Sequence, residues 1–248
     1  MHSKRMNISK DQFQSIVSDG LEPGDDVMIH ASLSAIGHYA GGIDEMIDLI
    51  CDAVTHTGTV IMTTATRSFA KTKRFSPDQP SENGLMTEIF RQREGVKRSC
   101  VPMASVAAWG ARQDDYTQVY DSNLDETSPF TALLRHNGKM MLLGIGYEKC
   151  TLFHLSEERF QLPHNFYKSF EGELIQEGEE PAPISQRYYV RKDMSVKKDP
   201  AVAGHMLEAR GLVNRYPLGK GEVKIFTARD FDHCCMEALE KNPNAFIV

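Results

Sequence analysis

The sequence predicts an α/β fold, with a central mixed, largely parallel sheet, flanking helices, and an antiparallel hairpin or small sheet in the C-terminal third. Three observations predict it. Between residues 26 and 64 a short apolar strand pattern, a helical-period segment and a second strand pattern follow one another, the succession of a βαβ unit with a right-handed crossover. The apolar run Met140-Met141-Leu142-Leu143-Gly144-Ile145-Gly146 reads as a buried strand ending in glycines. From residue 166 the pattern changes to alternation over 166–175 and 184–191, split by Glu177-Gly178-Glu179-Glu180-Pro181, as in two strands joined by a loop.

Each element has a local cause. Ser9 followed by Gln12 is close to a capping box, so a helix is predicted over 9–19, with Gly20 stopping it. Residues 26–30 form the first strand. Ala40-Gly41-Gly42 opens a helix over 43–54, where Ile43, Met46, Ile47 and Ile50 repeat at helical spacing, and 58–64 is the second strand. Residues 71–83 carry Pro77, Pro80 and charges and read as an exposed loop, of a length that often carries function. A helix resumes over 84–93, and 104–110 is a strand ending in glycine. Ser128 as N-cap and Pro129 at the first helical position start a helix reaching about Arg135, closed by Asn137-Gly138. Beyond the hairpin the expectation is irregular chain, a strand over 222–226 and a closing helix over 229–241.

Bulk properties narrow the class. At 248 residues the chain can form one large domain or two small ones, and a single domain over 1–248 is expected. A hydrophobic share of 41% and a charged share of 25% are ordinary for a soluble globular protein. The net charge of −6 argues against nucleic acid as the main partner. Met1-His2-Ser3-Lys4-Arg5 is not followed by the apolar core of a signal peptide. No apolar run approaches the roughly 20 residues of a membrane helix, so a cytoplasmic protein with no membrane partner is expected. The five cysteines, Cys51, Cys100, Cys150, Cys234 and Cys235, are odd in number with two adjacent, which suits reduced thiols rather than disulfides.

The segment Cys150-Thr151-Leu152-Phe153-His154-Leu155-Ser156-Glu157-Glu158 directly follows the glycine-ended strand. A histidine delivered by such a turn, in the first turn of a helix, sits where a catalytic base would. The bland alternative, a histidine that caps a helix or satisfies a carbonyl, is the commoner fate of a single histidine. Glu157, one helical turn on, is placed to orient the His154 ring; as a first-turn acid it also suits the helix dipole. Two other chemistries have partial signals. His154-x-x-Glu157 is half of a zinc motif, but Glu158 stands where the second histidine would be. Cys150 near His154 would suit a nucleophile, against the commoner state of a buried free thiol.

Several segments recur in a fixed order. Leu21-Glu22-Pro23-Gly24-Asp25-Asp26-Val27-Met28-Ile29-His30-Ala31-Ser32-Leu33 comes first, then Gly41-Gly42 and Gly58-Thr59-Val60-Ile61-Met62. Asn83-Gly84-Leu85-Met86-Thr87-Glu88-Ile89-Phe90-Arg91, Gly95-Val96-Lys97-Arg98-Ser99, Pro102 and Ser105-Val106-Ala107-Ala108-Trp109-Gly110 follow. Ser128-Pro129, the run over 138–146 and Thr151-Leu152-Phe153-His154-Leu155-Ser156-Glu157 complete the order. In this arrangement the chain resembles the aminoglycoside 3-N-acetyltransferases, the antibiotic N-acetyltransferase family distinct from the GNAT fold. The match is close over roughly residues 9–160 and loose beyond. The GNAT phosphate loop is absent, since Gln92-Arg93-Glu94-Gly95-Val96-Lys97 ends in lysine where a small residue is needed.

The resemblance implies an acetyl-CoA-dependent enzyme that acetylates an amine in a ternary complex, with a histidine base, no acyl-enzyme and no metal. Coenzyme A and a small amine of aminoglycoside type are the implied partners, in the context of antibiotic resistance; a homodimer is left open. The family histidine and acid map onto His154 and Glu157, and the helix N-terminus disfavours imidazolium there. His30, Ala31, Ser32 and Leu33, at a strand's C-terminal end, would line the cofactor site with Thr64, Ser105 and Val106. Residues 1–160 would then form the acetyl-CoA-binding core and 161–248 the acceptor side.

The chain departs from the family on that acceptor side. Val101-Pro102 stands where members carry His-Pro. Ala65-Thr66-Arg67-Ser68-Phe69-Ala70-Lys71 replaces the acidic loop expected after Thr64, and the hairpin offers Tyr189-Val190-Arg191-Lys192-Asp193. Arginine is a poor partner for a cationic sugar and a good one for carboxylate or phosphate. The acidic run Glu171, Glu173, Glu177, Glu179 and Glu180 is the counterweight, placed to rim a cationic acceptor if it faces the site. Three readings stay open: an aminoglycoside acceptor, another amine, and a CoA-binding homologue without activity.

Overall fold

Ser9 starts the first helix as expected: its hydroxyl accepts from the Gln12 amide at 3.1 Å, satisfying one of the donors that a helix start leaves free. The computed structural model describes residues 7–248; the opening residues, where the sequence lacks a leader's apolar core, lie outside the described residues. The chain begins with β1 (Asn7–Ile8), α1 (Lys10–Gly20), β2 (Asp26–Ala31), α2 (Leu33–Ile36), β3 (His38–Tyr39), α3 (Gly42–Val54) and β4 (Thr59–Thr63). It continues through α4 (Phe69–Thr72), β5 (Arg74–Phe75), α5 (Leu85–Arg91), β6 (Lys97–Arg98), β7 (Val106–Gly110), α6 (Gln113–Tyr116) and α7 (Pro129–Arg135). Then come β8 (Lys139–Leu143), a 3₁₀ turn (Tyr147–Lys149), α8 (Phe153–Phe160), β9 (Asn165–Leu174) and β10 (Ala182–Arg191). α9 (Ala201–Ala209), β11 (Asn214–Leu218), β12 (Gly221–Thr227) and α10 (Ala228–Lys241) complete it.

Seven strands form the main sheet, in the order β11-β12-β8-β2-β4-β7-β6. β2 pairs in parallel with both β4 and β8, which realises the βαβ unit read from the sequence. The sheet is mixed, as expected, but its parallel part is narrower than the sequence pattern implies: it is confined to these three central strands. The remaining pairings are antiparallel, because β6–β7 and β11–β12 return by turns rather than by crossovers over a face.

Strand alternation sorts the core into two layers. Val27 and Ile29 of β2 face Phe13, Val17, Ile47, Ile50 and Phe90 of α1, α3 and α5. Met28 faces the other way, into a cluster with Phe130, Leu155, Leu207 and Phe231 from α7, α8, α9 and α10. Burying one such side chain contributes about 1.5–3 kcal/mol, so helices on both faces hold the central strands. No helix among the described residues is long and apolar enough to cross a membrane.

The hairpin is present as β9 and β10, antiparallel, with Phe170 opposite Gln186. It joins β5 in a separate three-stranded sheet, around Phe69, Phe75 and Phe170. Two expectations are corrected here. The stretch 71–83 is not wholly an exposed loop: β5 lies within it, and Phe75 is completely buried. The stretch after the hairpin is not irregular, since it holds α9 and β11. α9 begins after Asp199-Pro200, where Asp199 Oδ1 accepts from the Ala201 amide at 2.9 Å, a local start signal that the expectation passed over.

α9 meets the 3₁₀ turn at a glycine. A Cβ on Gly204 would lie 2.1 Å from the Tyr147 ring. Replacing Gly204 by Val is therefore expected to destabilise the fold by about 2 kcal/mol through overpacking, measured by urea denaturation.

Candidate active site

The C-terminal ends of β2, β4 and β8, the start of α8, the end of β10 and the segment after it enclose a cavity of about 750 Å³. His30, His154, Glu157, Arg67, Tyr188 and Lys198 are among its lining residues. A smaller groove of about 300 Å³ runs between residues 31–34 and 83–87, and shares Ala31, Asn83 and Thr87 with the cavity. Ligands in α/β sheets characteristically bind outside the C-terminal ends of strands, and both spaces lie there.

The glycine ending β8 shapes this corner. Gly144 has φ +67°, and a Cβ there would stand 2.8 Å from the Ser32 carbonyl oxygen. The Ser32 amide donates to the Leu143 carbonyl at 2.8 Å, so the two strand exits are tied side by side. Chain leaving β8 then reaches α8 through the 3₁₀ turn, and His154 is the second residue of that helix.

His154 is half exposed to the cavity, while its partner is not. Its Nδ1 lies 2.7 Å from Oε2 of Glu157, a carboxylate only 2% exposed. The other oxygen, Oε1, accepts from Lys198 Nζ and, at 3.4 Å, from Asn165 Nδ2; Lys198 also donates to Asn165 Oδ1 at 2.6 Å. Burial pushes the Glu157 carboxyl up, but the His154 hydrogen bond and the Lys198 charge outweigh it and hold the group below the usual carboxylate range. An ionised Glu157 accepts from Nδ1–H, which leaves Nε2 as the ring nitrogen that Glu157 does not engage. Lys198 and Asn165 escaped the sequence reading because they lie 41 and 8 residues from Glu157 in chain segments with no motif.

His30 is buried beneath His154. Its Nε2 accepts from the Thr151 amide at 3.4 Å and lies 2.8 Å from the Thr151 hydroxyl. Nδ1 is buried without a hydrogen-bond partner. Burial, assisted by the His154 charge, lowers its pKa to about 4. Asn83, which lines both spaces, donates to the Thr63 hydroxyl at 2.6 Å and leaves its Oδ1 buried and unpartnered.

Of the other residues expected at the cofactor, Ala31, Ser32 and Leu33 line the groove. Thr64, Ser105 and Val106 are not among its lining residues. All three are completely buried and line neither space. Ser105 Oγ donates to the Thr64 carbonyl at 2.7 Å, and the Arg98 guanidinium caps that carbonyl at 2.5 Å, so these polar groups are committed to the wall. Nor does the acidic run of the hairpin face the site: Glu171, Glu173, Glu177, Glu179 and Glu180 line neither space. Cys150 does touch the cavity, but it is buried and its thiol is pushed up to about 12, a poor state for a nucleophile. Among the described residues no group of three or more His, Cys, Asp or Glu stands together to hold a metal.

Solved structures of aminoglycoside acetyltransferases share this architecture. AAC(3)-Xa superposes with a TM-score of 0.83 at 26% identity, over 95% of this chain and 93% of that one. AAC-IIIb, solved in a binary complex with CoASH, has a TM-score of 0.82 at 23% identity, over 95% and 97% of the two chains. The fold is thus that of a mixed α/β acetyltransferase. In sequence, the aminoglycoside N(3)-acetyltransferase VII of Streptomyces paromomycinus is 27% identical over 244 residues, covering 85% of this chain and 84% of the relative. The prophage-derived aminoglycoside N(3')-acetyltransferase-like protein YokD of Bacillus subtilis (strain 168) is 29% identical over 194 residues, covering 66% and 71%. The family model for aminoglycoside 3-N-acetyltransferase matches residues 28–240, and the chain belongs to that family of acyltransferases.

The buried His30 has a consequence for stability. The unfolded chain protonates it near 6.5 and the folded chain only near 4, so stability is lost as pH falls through that window. The loss attributable to His30 is expected to approach roughly 3 kcal/mol, and denaturant titrations at pH 7 and pH 4.5 should show a shallower decline in a His30→Gln variant.

Proposed function

We propose that the protein transfers the acetyl group of acetyl-CoA directly to an amine within a ternary complex, with His154 as general base. The observation that carries this reading is the His154–Glu157 contact at 2.7 Å, which leaves Nε2 uncommitted on a ring that lines a cavity of about 750 Å³. An ammonium cannot attack a thioester. The ammonium first loses one proton to solvent, which frees the nitrogen lone pair. As that lone pair forms the new C–N bond, His154 Nε2 takes a second N–H proton, the C–S bond breaks, and the CoA sulfur leaves as thiolate and receives that proton from the imidazolium.

The groove over residues 31–34 and 83–87 suits the extended arm of the cosubstrate. Its floor is a strand exit with small side chains, and the orphaned Asn83 Oδ1 offers an acceptor to an amide N–H such as the pantetheine arm carries. Ala31, Ser32 and Leu33 would contact that arm, while His30 acts from beneath by fixing Thr151 at the entry to α8. Glu157 is a positioning residue: it holds the tautomer and the ring plane of His154, and Lys198 and Asn165 hold Glu157 in turn. On this assignment the first two thirds of the chain bind acetyl-CoA, and the acceptor is bound where the last third meets them. The family supplies an aminoglycoside-type amine as the default acceptor.

A covalent route through Cys150 is disfavoured by its buried, protonated thiol. Release of CoA thiol from acetyl-CoA in the presence of an amine tests the proposal. His154→Ala is expected to lower kcat by about 10²–10⁴-fold with the KM for acetyl-CoA little changed. Cys150→Ala is expected to keep kcat within about threefold, and no acetylated protein should accumulate without acceptor. Full turnover by the His154→Ala protein would remove the base assignment.

A further inference from the structure

The acceptor side of the cavity is richer in available cations than in available carboxylates. Arg67, Lys149, Arg191 and Lys198 line it, against Glu82, Glu148 and Glu157. Two of the three acids are committed. Glu157 is shared by His154 and Lys198, and the Glu82 oxygens accept from the Arg67 and Ser68 amides at 2.9 Å and 3.0 Å. Only Glu148 is left to meet a cationic ligand. A polycation would find a single free carboxylate, whereas its binding calls for several.

The cations divide differently. Lys198 is committed to Glu157, and Arg191 Nη1 donates to the Val196 carbonyl at 2.5 Å. Arg67 is exposed and its guanidinium makes no hydrogen bond or ion pair within 4 Å with any described residue; its backbone amide donates to Glu82, and its charge also acts on that carboxylate. Tyr188 stands between the two ends of the cavity in chemical terms. Its ring centroid is 6.3 Å from that of His154, and its phenol feels the Arg67 charge and has no partner among the described residues. Burial raises the Tyr188 pKa despite Arg67, so the phenol stays a donor. A guanidinium and a phenolic O–H that line one cavity with no hydrogen bond of their own are a donor set for carboxylate or phosphate oxygens.

We infer that the acceptor is an amine that also carries an anionic group, a carboxylate or a phosphate, bound by Arg67 and Tyr188 while His154 deprotonates its amine. The inference rests on the acetyl-transfer reading and specifies its substrate class.

The test uses purified protein, acetyl-CoA and matched amines: γ-aminobutyrate against n-butylamine, glucosamine phosphate against glucosamine, and kanamycin as the polycation. The member that bears the anionic group is expected, in at least one pair, to exceed the partner that lacks it in kcat/KM by about tenfold or more. Arg67→Gln should lower that ratio by about tenfold, and Tyr188→Phe, which keeps the ring packed beside His154, by a few-fold. Which pair responds distinguishes carboxylate from phosphate. Preference for kanamycin or for the amines that lack an anionic group, or a ratio that Arg67→Gln leaves unchanged, overturns the inference while leaving acetyl transfer standing. Calorimetric binding of the same pairs to the His154→Ala protein separates the opposite failure. Selective binding of the anionic amine there, with no turnover by the unmodified protein, supports the anion site and sinks the acetyl-transfer reading. Absence of both selective binding and turnover overturns both.

Discussion

The candidate site depends on one buried carboxylate. Glu157 is 2% exposed, and an uncompensated charge at that depth would destabilise the fold by several kcal/mol. It is tolerated because His154 takes one oxygen and Lys198 with Asn165 take the other. The same requirement fixes geometry. Asn165 opens β9 and Lys198 follows β10, so satisfying Glu157 locks both ends of the hairpin's base against α8. The ring that faces the cavity is therefore set by the need to pair an acid that solvent cannot reach.

Two neighbouring residues extend the same logic along α8. Ser156 donates to Asp232 of α10 at 2.9 Å, and Glu158 accepts from Ser122, from the Asn123 amide at 3.1 Å and from the Tyr167 phenol at 3.0 Å. Three consecutive polar side chains thus face three different segments: the last helix, the loop before α7 and the hairpin. In the HxxE pattern Glu158 looks like an incomplete metal motif. In the fold it is a structural acid that ties a long loop to the helix, and its full set of partners explains its burial. A short helix with little apolar moment is held rigid by these polar contacts and by Leu155 beneath it.

Much of the fold was legible because its causes are local. Ser9 and Ser128-Pro129 carry helix starts in their own side chains, and β2, α3 and β4 lie close enough in sequence for their period to declare a βαβ unit. The glycine-ended β8 and the histidine beyond it were readable for the same reason. α9 and β11 were not read: the start signal of α9 lies in the short Asp199-Pro200 pair, and β11 is largely exposed, with its partner strand supplying most of the pattern. The antiparallel margins of the sheet were also hidden, since direction is decided by which edge a strand reaches, and residue period is blind to that. Thr64 and Ser105 illustrate the limit at the site. Small polar residues at strand ends suit ligand contact by type, yet here they hydrogen-bond each other behind the wall.

The amino-acid sequence by itself determined the α/β class, the helix that carries His154, an acid one turn later at Glu157, and the family to which the chain belongs. These follow from spacing within a few residues or from motifs in order, both of which survive without coordinates. Tertiary structure alone decided that Lys198 and Asn165 complete the acid, that the acidic hairpin residues do not line the cavity, and that Arg67 and Tyr188 both do. Each of these joins segments dozens of residues apart, or separates a charge from a site it might have served. Only the packing of the hairpin against α8 and the strand ends sets which charges are buried, which are neutralised and which are left to meet a substrate.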